Sequence, residues 1–277
     1  SMSSTTAAGV VGAVAAVLGL QVIFMTCGGR SSRALPARHQ RGLHLARRAQ
    51  HALSGLCICA VHQICHDRIK QGEATWVTPH TGAAILAFFA AVFLVVHAAR
   101  LRYPTLNDTL VRVMENVLRE EEASGAKIPA SFWFLLGSSG VMLLYPAHGG
   151  HLFRLPLLLL SLGDPAAGLL GSLYGRTPWR GASGKTVEGS LGCALVCAVV
   201  AVVYFLVESE FFGYEFFFKR GGSHSRMLMW QVSALVGLIG ALSELVKVPH
   251  LDDNLTMPVF AACGLWLVHV YFIPWAQ

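Results

Sequence analysis

Three stretches, 81–99, 128–146 and 189–207, each pass without one Asp, Glu, Lys or Arg. Runs of this length approach the roughly 20 apolar residues that carry a helix across a bilayer core of about 30 Å. A water-exposed helix of equal length would keep one polar face. Five further apolar runs, 7–28, 52–66, 152–174, 228–248 and 255–273, extend the pattern. Together they predict an all-α polytopic membrane protein of about eight transmembrane helices. Composition agrees: the 277 residues are 54% hydrophobic and only 13% charged, against about 25% charged in soluble domains. The formal charge of +6 is therefore read as loop charge that orients the spans, and no nucleic-acid partner is expected. The seven cysteines, an odd number within or beside apolar runs, argue against a disulfide scaffold or a structural zinc site.

Residues 1–43 are expected to form a membrane anchor and basic linker, with the main transmembrane domain over 44–275. No basic segment precedes 7–28, so a retained anchor is preferred to a cleaved signal. Eight spans put the loops 29–50, 100–127, 175–188 and 247–254 on one side. These carry 15 of the 21 Lys and Arg residues, which places them in the cytoplasm. The same face receives Arg47, Arg48, His51, Arg102, Asn107, Asp164, Lys185, Glu188, Glu244, Asp252, Asp253 and Asn254. Pro104 is expected to turn the chain out of helix. Residues 109–123 then read as an interfacial amphipathic helix, with Glu120–Glu122 facing water. The segment 208–227, with Glu208 and a cluster of aromatics, reads as a loop with an interfacial belt. His62 and His66 are spaced for a metal but have no third ligand nearby.

Residues 161–190 hold the chemistry. Asp164 stands inside an apolar run, where a carboxylate is costly unless it faces a cavity, partner or ion. Gly168, Gly171 and Gly175 follow on its helical face and permit close backbone approach. Pro165 should kink or break the span, and broken spans expose backbone groups to ions and substrates. A basic loop with Arg176, Arg180 and Lys185 comes next, and its Gly184-Lys185-Thr186 offers backbone N–H groups, an ammonium and a hydroxyl to phosphate oxygens. The combination points to a divalent metal and a polyphosphate at a membrane surface. A glycine-rich packing face beside an ordinary positive loop is the plain alternative. The segment 181–186 ends like a P-loop but has Trp179 where the first glycine belongs, which excludes a P-loop ATPase. Turn chemistry alone could explain Asp252-Asp253-Asn254, but their pairing with intramembrane Glu244 suggests more.

In this order the motifs resemble the CTP-dependent lipid kinases, a family that includes yeast diacylglycerol kinase, dolichol kinase and the plant phytol and farnesol kinases. The CDP-diacylglycerol synthases are more distantly similar. The resemblance rests on Gly163-Asp164-x-x-Ala167 with Gly171 and Gly175, on Lys185-Thr186-x-Glu188-Gly189-Ser190, and on Glu244 with Asp252-Asp253-Asn254 ahead of Pro258. It extends to Arg47-Arg48-x-x-His51, to L-R-Y-P-T-L-N at 101–107 and to F-W-F-L-L-G at 132–137, covering roughly 44–275.

The resemblance implies phosphoryl transfer from CTP to a lipid hydroxyl with Mg²⁺ as cofactor. Asp164 is the first expected metal ligand, with Asp252 or Asp253 the second. Gly184, Lys185 and Thr186 are expected to contact the nucleotide phosphates, joined by Arg47, Arg48, Arg102, Asn107 and Asn254. Glu188 would orient Lys185 or approach the metal, and Glu244 or Asp253 would handle the hydroxyl proton. Diacylglycerol is the leading acceptor, followed by phytol or another prenol. An endoplasmic-reticulum membrane location with the site facing the cytoplasm is implied, and a homodimer is compatible with it. Two competitors are a cytidylyltransferase that releases pyrophosphate and a non-catalytic transporter of a lipid or anion. The order of the basic loop and the D-D-N turn favours the kinase.

Overall fold

The computed structural model describes residues 44–70, 78–114, 117–144, 151–181, 184–211 and 222–272. The anchor expected over 7–28, the basic linker up to 43 and most of the aromatic loop lie outside the described residues. Among the described residues the chain is helical, with a single β-bridge, Pro178 to Thr186, and no strand. It divides into two compact units, Ser1–Gly150 and His151–Gln277.

The first unit contains α1 (Leu45–Lys70), α2 (Pro79–Arg102), α3 (Pro104–Met114), the single turn α4 (Glu120–Ala123) and α5 (Ala130–Leu144). Helix α1 outruns the expected 52–66 at both ends, so Arg47, Arg48 and His51 lie on the helix and not ahead of it. Thr78 opens α2 with a capping box: Thr81 N–H donates to Thr78 Oγ1 at 3.2 Å and Thr78 N–H donates to Thr81 Oγ1 at 2.7 Å. Pro104 ends α2 but also opens α3. Tyr103 stays extended (φ −119°, ψ 103°), as a residue before proline prefers, while the fixed proline φ suits a first helical position. The amphipathic helix expected over 109–123 is thus displaced to 104–114 and buries no residue. Ser139 Oγ donates to Ala83 O at 2.9 Å and ties α5 to α2.

The second unit contains α6 (His151–Leu158), a π-helical turn (Leu159–Gly163), α7 (Asp164–Tyr174), α8 (Val187–Phe211), α9 (Gly222–Leu245) and α10 (Asp253–Phe272). The broken span falls immediately before Asp164. Pro165 has no N–H to offer the carbonyl of Ser161, so the i→i−4 ladder has a gap there, and the widened turn accommodates it. Leu159, Leu160 and Ser161 are fully buried, as are Cys193, Cys197 and Met257 of the neighbouring helices. Only glycine fits at 163: a Cβ there would lie 2.5 Å from Cys197 Sγ. The widened turn is therefore packed from several sides, which holds Asp164 in place.

Among the described residues four helical segments have the length and composition to cross a membrane: Pro79–Arg102, His151–Tyr174, Val187–Glu208 and Met227–Leu245. Helix α5 is apolar but shorter. The other expected spans fall on 7–28, on α1, which carries Arg47, Arg48 and Asp67, and on α10, which opens with Asp253 and Asn254. Glu208, expected in a loop, lies within α8. It is buried and paired with buried Arg154 of α6 at 3.0 Å.

Candidate active site

Lys185 sits on a turn built by its own backbone. Trp179 N–H donates to Lys185 O at 3.0 Å, and Val187 N–H donates to Thr177 O at 2.9 Å. Gly181 (φ 87°) and Gly184 (φ 81°) occupy the left-handed region that side-chain-bearing residues avoid. Trp179 Nε1 donates to buried Ser190 Oγ at 3.1 Å and fastens the turn to α8. Thr186 Oγ1 accepts from Gly189 N–H at 3.2 Å, the bond made by a helix N-cap. Its side chain also packs on Gly171 and Gly175. The glycine ladder therefore makes room for the residue that starts α8. A Cβ on Gly189 would lie 2.8 Å from Ala167 O, so α7 and α8 are in close backbone contact.

This turn delivers the Lys185 ammonium between two carboxylates, 3.1 Å from Glu244 Oε1 and 3.2 Å from Asp253 Oδ2. It also donates to Glu244 O, where the end of α9 leaves carbonyls unpaired. The Lys185 and Glu244 side chains are each 9% exposed and that of Asp253 is 36% exposed. Burial alone would lower the Lys185 pKa. Asp253 and Glu244 outweigh that effect and hold the ammonium above the usual lysine value. Asp164 lies near enough to act electrostatically on both Glu244 and Asp253. The Lys185 ammonium and the Glu244 and Asp253 carboxylates, from three segments, are thus collected in one place, with Asp164 within electrostatic range.

The other residues of this unit have local partners. Asp252 caps α10: its Oδ1 accepts from Asn254 N–H at 3.0 Å and from Asn254 Nδ2 at 2.6 Å, and Asn254 is buried. Glu188 accepts from Thr177 N–H and from Thr177 Oγ1 at 3.0 Å, so its carboxylate braces the loop entrance while Lys185 takes Glu244 and Asp253. Gly184 supplies the turn. Among the described residues no three His, Cys, Asp or Glu side chains form a ready-made metal cage. The donor set nevertheless suits Mg²⁺, which takes hard oxygen ligands and usually binds through one or two carboxylates plus substrate phosphates. Asp164, Glu244 and Asp253 supply such oxygens.

The family model described as "Cytidylyltransferase family" matches residues 45–247. The chain belongs to the cytidylyltransferase family. It is 29% identical over 173 residues to the CTP-dependent diacylglycerol kinase 1 of Schizosaccharomyces pombe, covering 61% of this chain and 72% of the relative. The protein of the same name from Eremothecium gossypii is 28% identical over 172 residues, covering 61% and 53%. Dolichol kinase of Saccharomyces cerevisiae is 26% identical over 170 residues, covering 61% and 29%. The chain thus spans about half of the Eremothecium relative's length. No solved structure matches the chain.

The match to the cytidylyltransferase family reaches Lys247, so Asp252, Asp253 and Asn254 lie beyond it. It takes in the first unit, where Arg47 and Asn107, two of the expected nucleotide contacts, have partners of their own. Arg47 forms a two-pronged pair with Glu122, Nη1 to Oε2 at 2.8 Å and Nη2 to Oε1 at 3.3 Å. Glu122 is 2% exposed and not facing water as expected. It also accepts from Arg119 N–H at 2.9 Å and Ala130 N–H at 3.0 Å. Burial would raise its pKa, but the bond and charge of Arg47, with the two N–H groups, hold it below the usual carboxylate value. Arg102 is exposed. Asn107 is approached by Arg100 Nη1 at 3.5 Å. Buried Arg100 also donates to Glu122 O and, through Nε, to His97 Nδ1 at 3.2 Å. Nothing in the sequence marks Arg100, Arg154 or Glu208 as paired. An arginine at a span end looks like an ordinary anchor until its partner, distant in sequence, is seen.

Proposed function

We propose that this chain is a CTP-dependent lipid kinase that moves the γ-phosphoryl group of CTP to the hydroxyl of a membrane lipid alcohol. Diacylglycerol is the proposed acceptor and phosphatidate the product. The observation that carries this reading is Lys185 on its glycine turn, paired with Glu244 and Asp253 in the field of Asp164. Relatives named as CTP-dependent diacylglycerol kinases and as a dolichol kinase support the donor and the acceptor class.

Lys185 exchanges one or both carboxylates for phosphate oxygens when the nucleotide arrives, and the turn around Gly184 presents backbone N–H groups to the same phosphates. Asp164 is the proposed principal Mg²⁺ ligand, with Asp253 or Asp252 second. A Mg²⁺ held by these carboxylates would supply positive charge against the charge that develops on the phosphate oxygens. Asp253, the more open member of the Lys185 pair, or Glu244 accepts the proton of the lipid hydroxyl. That oxygen bonds to the γ-phosphorus as the bond from phosphorus to the β-bridging oxygen breaks, releasing CDP. The apolar helices of the unit keep bulk water from the transfer. The site is proposed to face the cytoplasm from the endoplasmic-reticulum membrane.

The family's own description favours a second reading, transfer of the cytidylyl group to phosphatidate with loss of pyrophosphate. One assay separates the readings. Purified protein in nanodiscs receives Mg²⁺, CTP labelled at the γ-phosphate, and diacylglycerol, phytol, a long polyprenol or phosphatidate. Labelled phosphatidate and free CDP are expected. Faster transfer from ATP would overturn the donor, preferential use of a prenol the acceptor, and pyrophosphate release the kinase itself.

A further inference from the structure

The first unit holds a half-open cavity of about 100 Å³ beside the Arg47–Glu122 pair. One face of α1 lines it from end to end, through Arg47, Gln50, His51, Ser54 and Ile58. These positions follow the three- and four-residue spacing of a helix stripe. The stripe is graded: a cation first, then hydrogen-bonding side chains, then hydrocarbon. Phe93 of α2 and Leu135 of α5 complete the apolar end. Arg47 is neutralised within the wall by Glu122, with the two side chains 16% and 3% exposed. The Arg47–Glu122 pair therefore adds no net charge to the lining.

Such a lining suits a molecule with an uncharged hydroxyl-bearing end and an apolar continuation. A cavity of about 150 Å³ takes a benzene, so this space suits a group the size of a glycerol backbone and not a whole lipid. Phe88, Val92 and Val95 on the same helix as Phe93 are exposed and give α2 an apolar outer surface. A phosphomonoester would gain little here, because the Arg47 guanidinium is already engaged by a carboxylate at 2.8 Å and displacing it would strand a buried charge. We propose that, before nucleotide binds, this cavity holds the glycerol end of a neutral lipid alcohol, and that it discriminates diacylglycerol from phosphatidate. The proposal deepens the kinase reading and rests on it for the identity of the lipid.

The test is a diacylglycerol carrying a diazirine close to the glycerol, photolysed with the full chain in nanodiscs without nucleotide. Mass spectrometry should place the label on α1 between Gln50 and Ile58 or on α5 near Leu135. Excess unlabelled diacylglycerol should remove at least 80% of it, and equal phosphatidate less than 20%. Ile58→Trp fills the apolar end and should reduce labelling at least 5-fold without loss of the folded protein peak on size exclusion. A wild-type label confined to other helices, or equal competition by phosphatidate, would overturn the proposal, and neither depends on the variant. The map is read without CTP, so it can fail while labelled CTP still yields phosphatidate, or hold while that transfer fails.

Discussion

Lys185→Met removes the ammonium and keeps most of the apolar stem. In the native site the charge lies 3.1 Å from Glu244 and 3.2 Å from Asp253. Asp253 is 36% exposed, so water screens it and its share is small. Glu244 is 9% exposed and would be left buried without its cation, a change that costs about 3–5 kcal/mol. For soluble chains of similar size 1 kcal/mol moves Tm by about 2–4 °C, so a fall of about 6–20 °C is expected. Lys185→Met/Glu244→Gln should recover most of the loss, because removing a whole buried pair is often close to neutral. Divalent cation should act in the same direction on the single variant. Without the ammonium, Glu244 and Asp253 are left to a cation, and Mn²⁺ at about 100 times its Kd would return about 2.7 kcal/mol. Thermal unfolding in detergent, followed by tryptophan fluorescence with and without Mn²⁺, reads all of these. An unchanged Tm in Lys185→Met, or a double variant no more stable than the single one, would refute the buried-pair argument.

Asp164→Asn should lower turnover by about 10²-fold, about 2.7 kcal/mol of barrier, and raise the Mg²⁺ concentration needed for half-maximal rate. Normal turnover per folded molecule would remove the metal-ligand assignment. Glu122→Gln should destabilise the first unit by about 3–5 kcal/mol by stranding Arg47. The folded pKa of Glu122 is depressed, so its pairing stabilises above its ordinary value of 4.5 and is lost as pH falls through the lower folded value. Acid titration of wild type and variant should therefore converge. Gly189→Val places side-chain atoms where a Cβ alone would be 2.8 Å from Ala167 O. The overpacking should cost about 1–3 kcal/mol, read as a lower Tm with reduced activity because α8 carries Thr186 and the Lys185 turn. Single cysteines replacing Ser183 and Ser223 should be labelled by impermeant reagents from opposite sides of a sealed vesicle, and labelling of both from one side would sink the eight-span topology.

Much of the fold was legible because hydrocarbon imposes a simple rule: long uncharged runs must satisfy their backbones as helix. That rule placed α2, α5, α8 and α10 within a few residues. It was silent where charge and helix coincide. Helix α1 is longer than its apolar middle because nothing in Leu45–Gln50 stops a helix, and Arg47 finds a carboxylate far along the chain. Glu208 continues α8 for the same reason, with Arg154 as its partner. The break at Asp164 could be foreseen from Pro165, but its form could not. A proline reports which donor is missing, whereas the side of the gap on which the backbone widens is decided by packing. Here Gly163 against Cys193 and Cys197 puts that widening ahead of the carboxylate.

The site followed a similar division. An acidic residue in an apolar run and a glycine-lysine-threonine turn are local signals, so Asp164, Lys185 and Glu244 could be singled out one at a time. Their mutual geometry is not local. Nothing local in the sequence shows that Lys185 is buried, yet the turn buries it and gives it two carboxylates from other elements. Thr186 and Glu188, which read as phosphate and lysine partners, are occupied closer to home, Thr186 in capping α8 and Glu188 in bracing Thr177. These assignments favour one order of events for the proposed reaction. A lysine already neutralised by Glu244 and Asp253 has little free charge to offer an approaching phosphate. Nucleotide binding must therefore divide that cluster, sending the ammonium to phosphate and freeing carboxylate oxygens. Because the two changes balance each other in charge, neither is favourable alone in a poorly hydrated site. Metal and nucleotide should accordingly bind together, with each raising the apparent affinity of the other by the same factor.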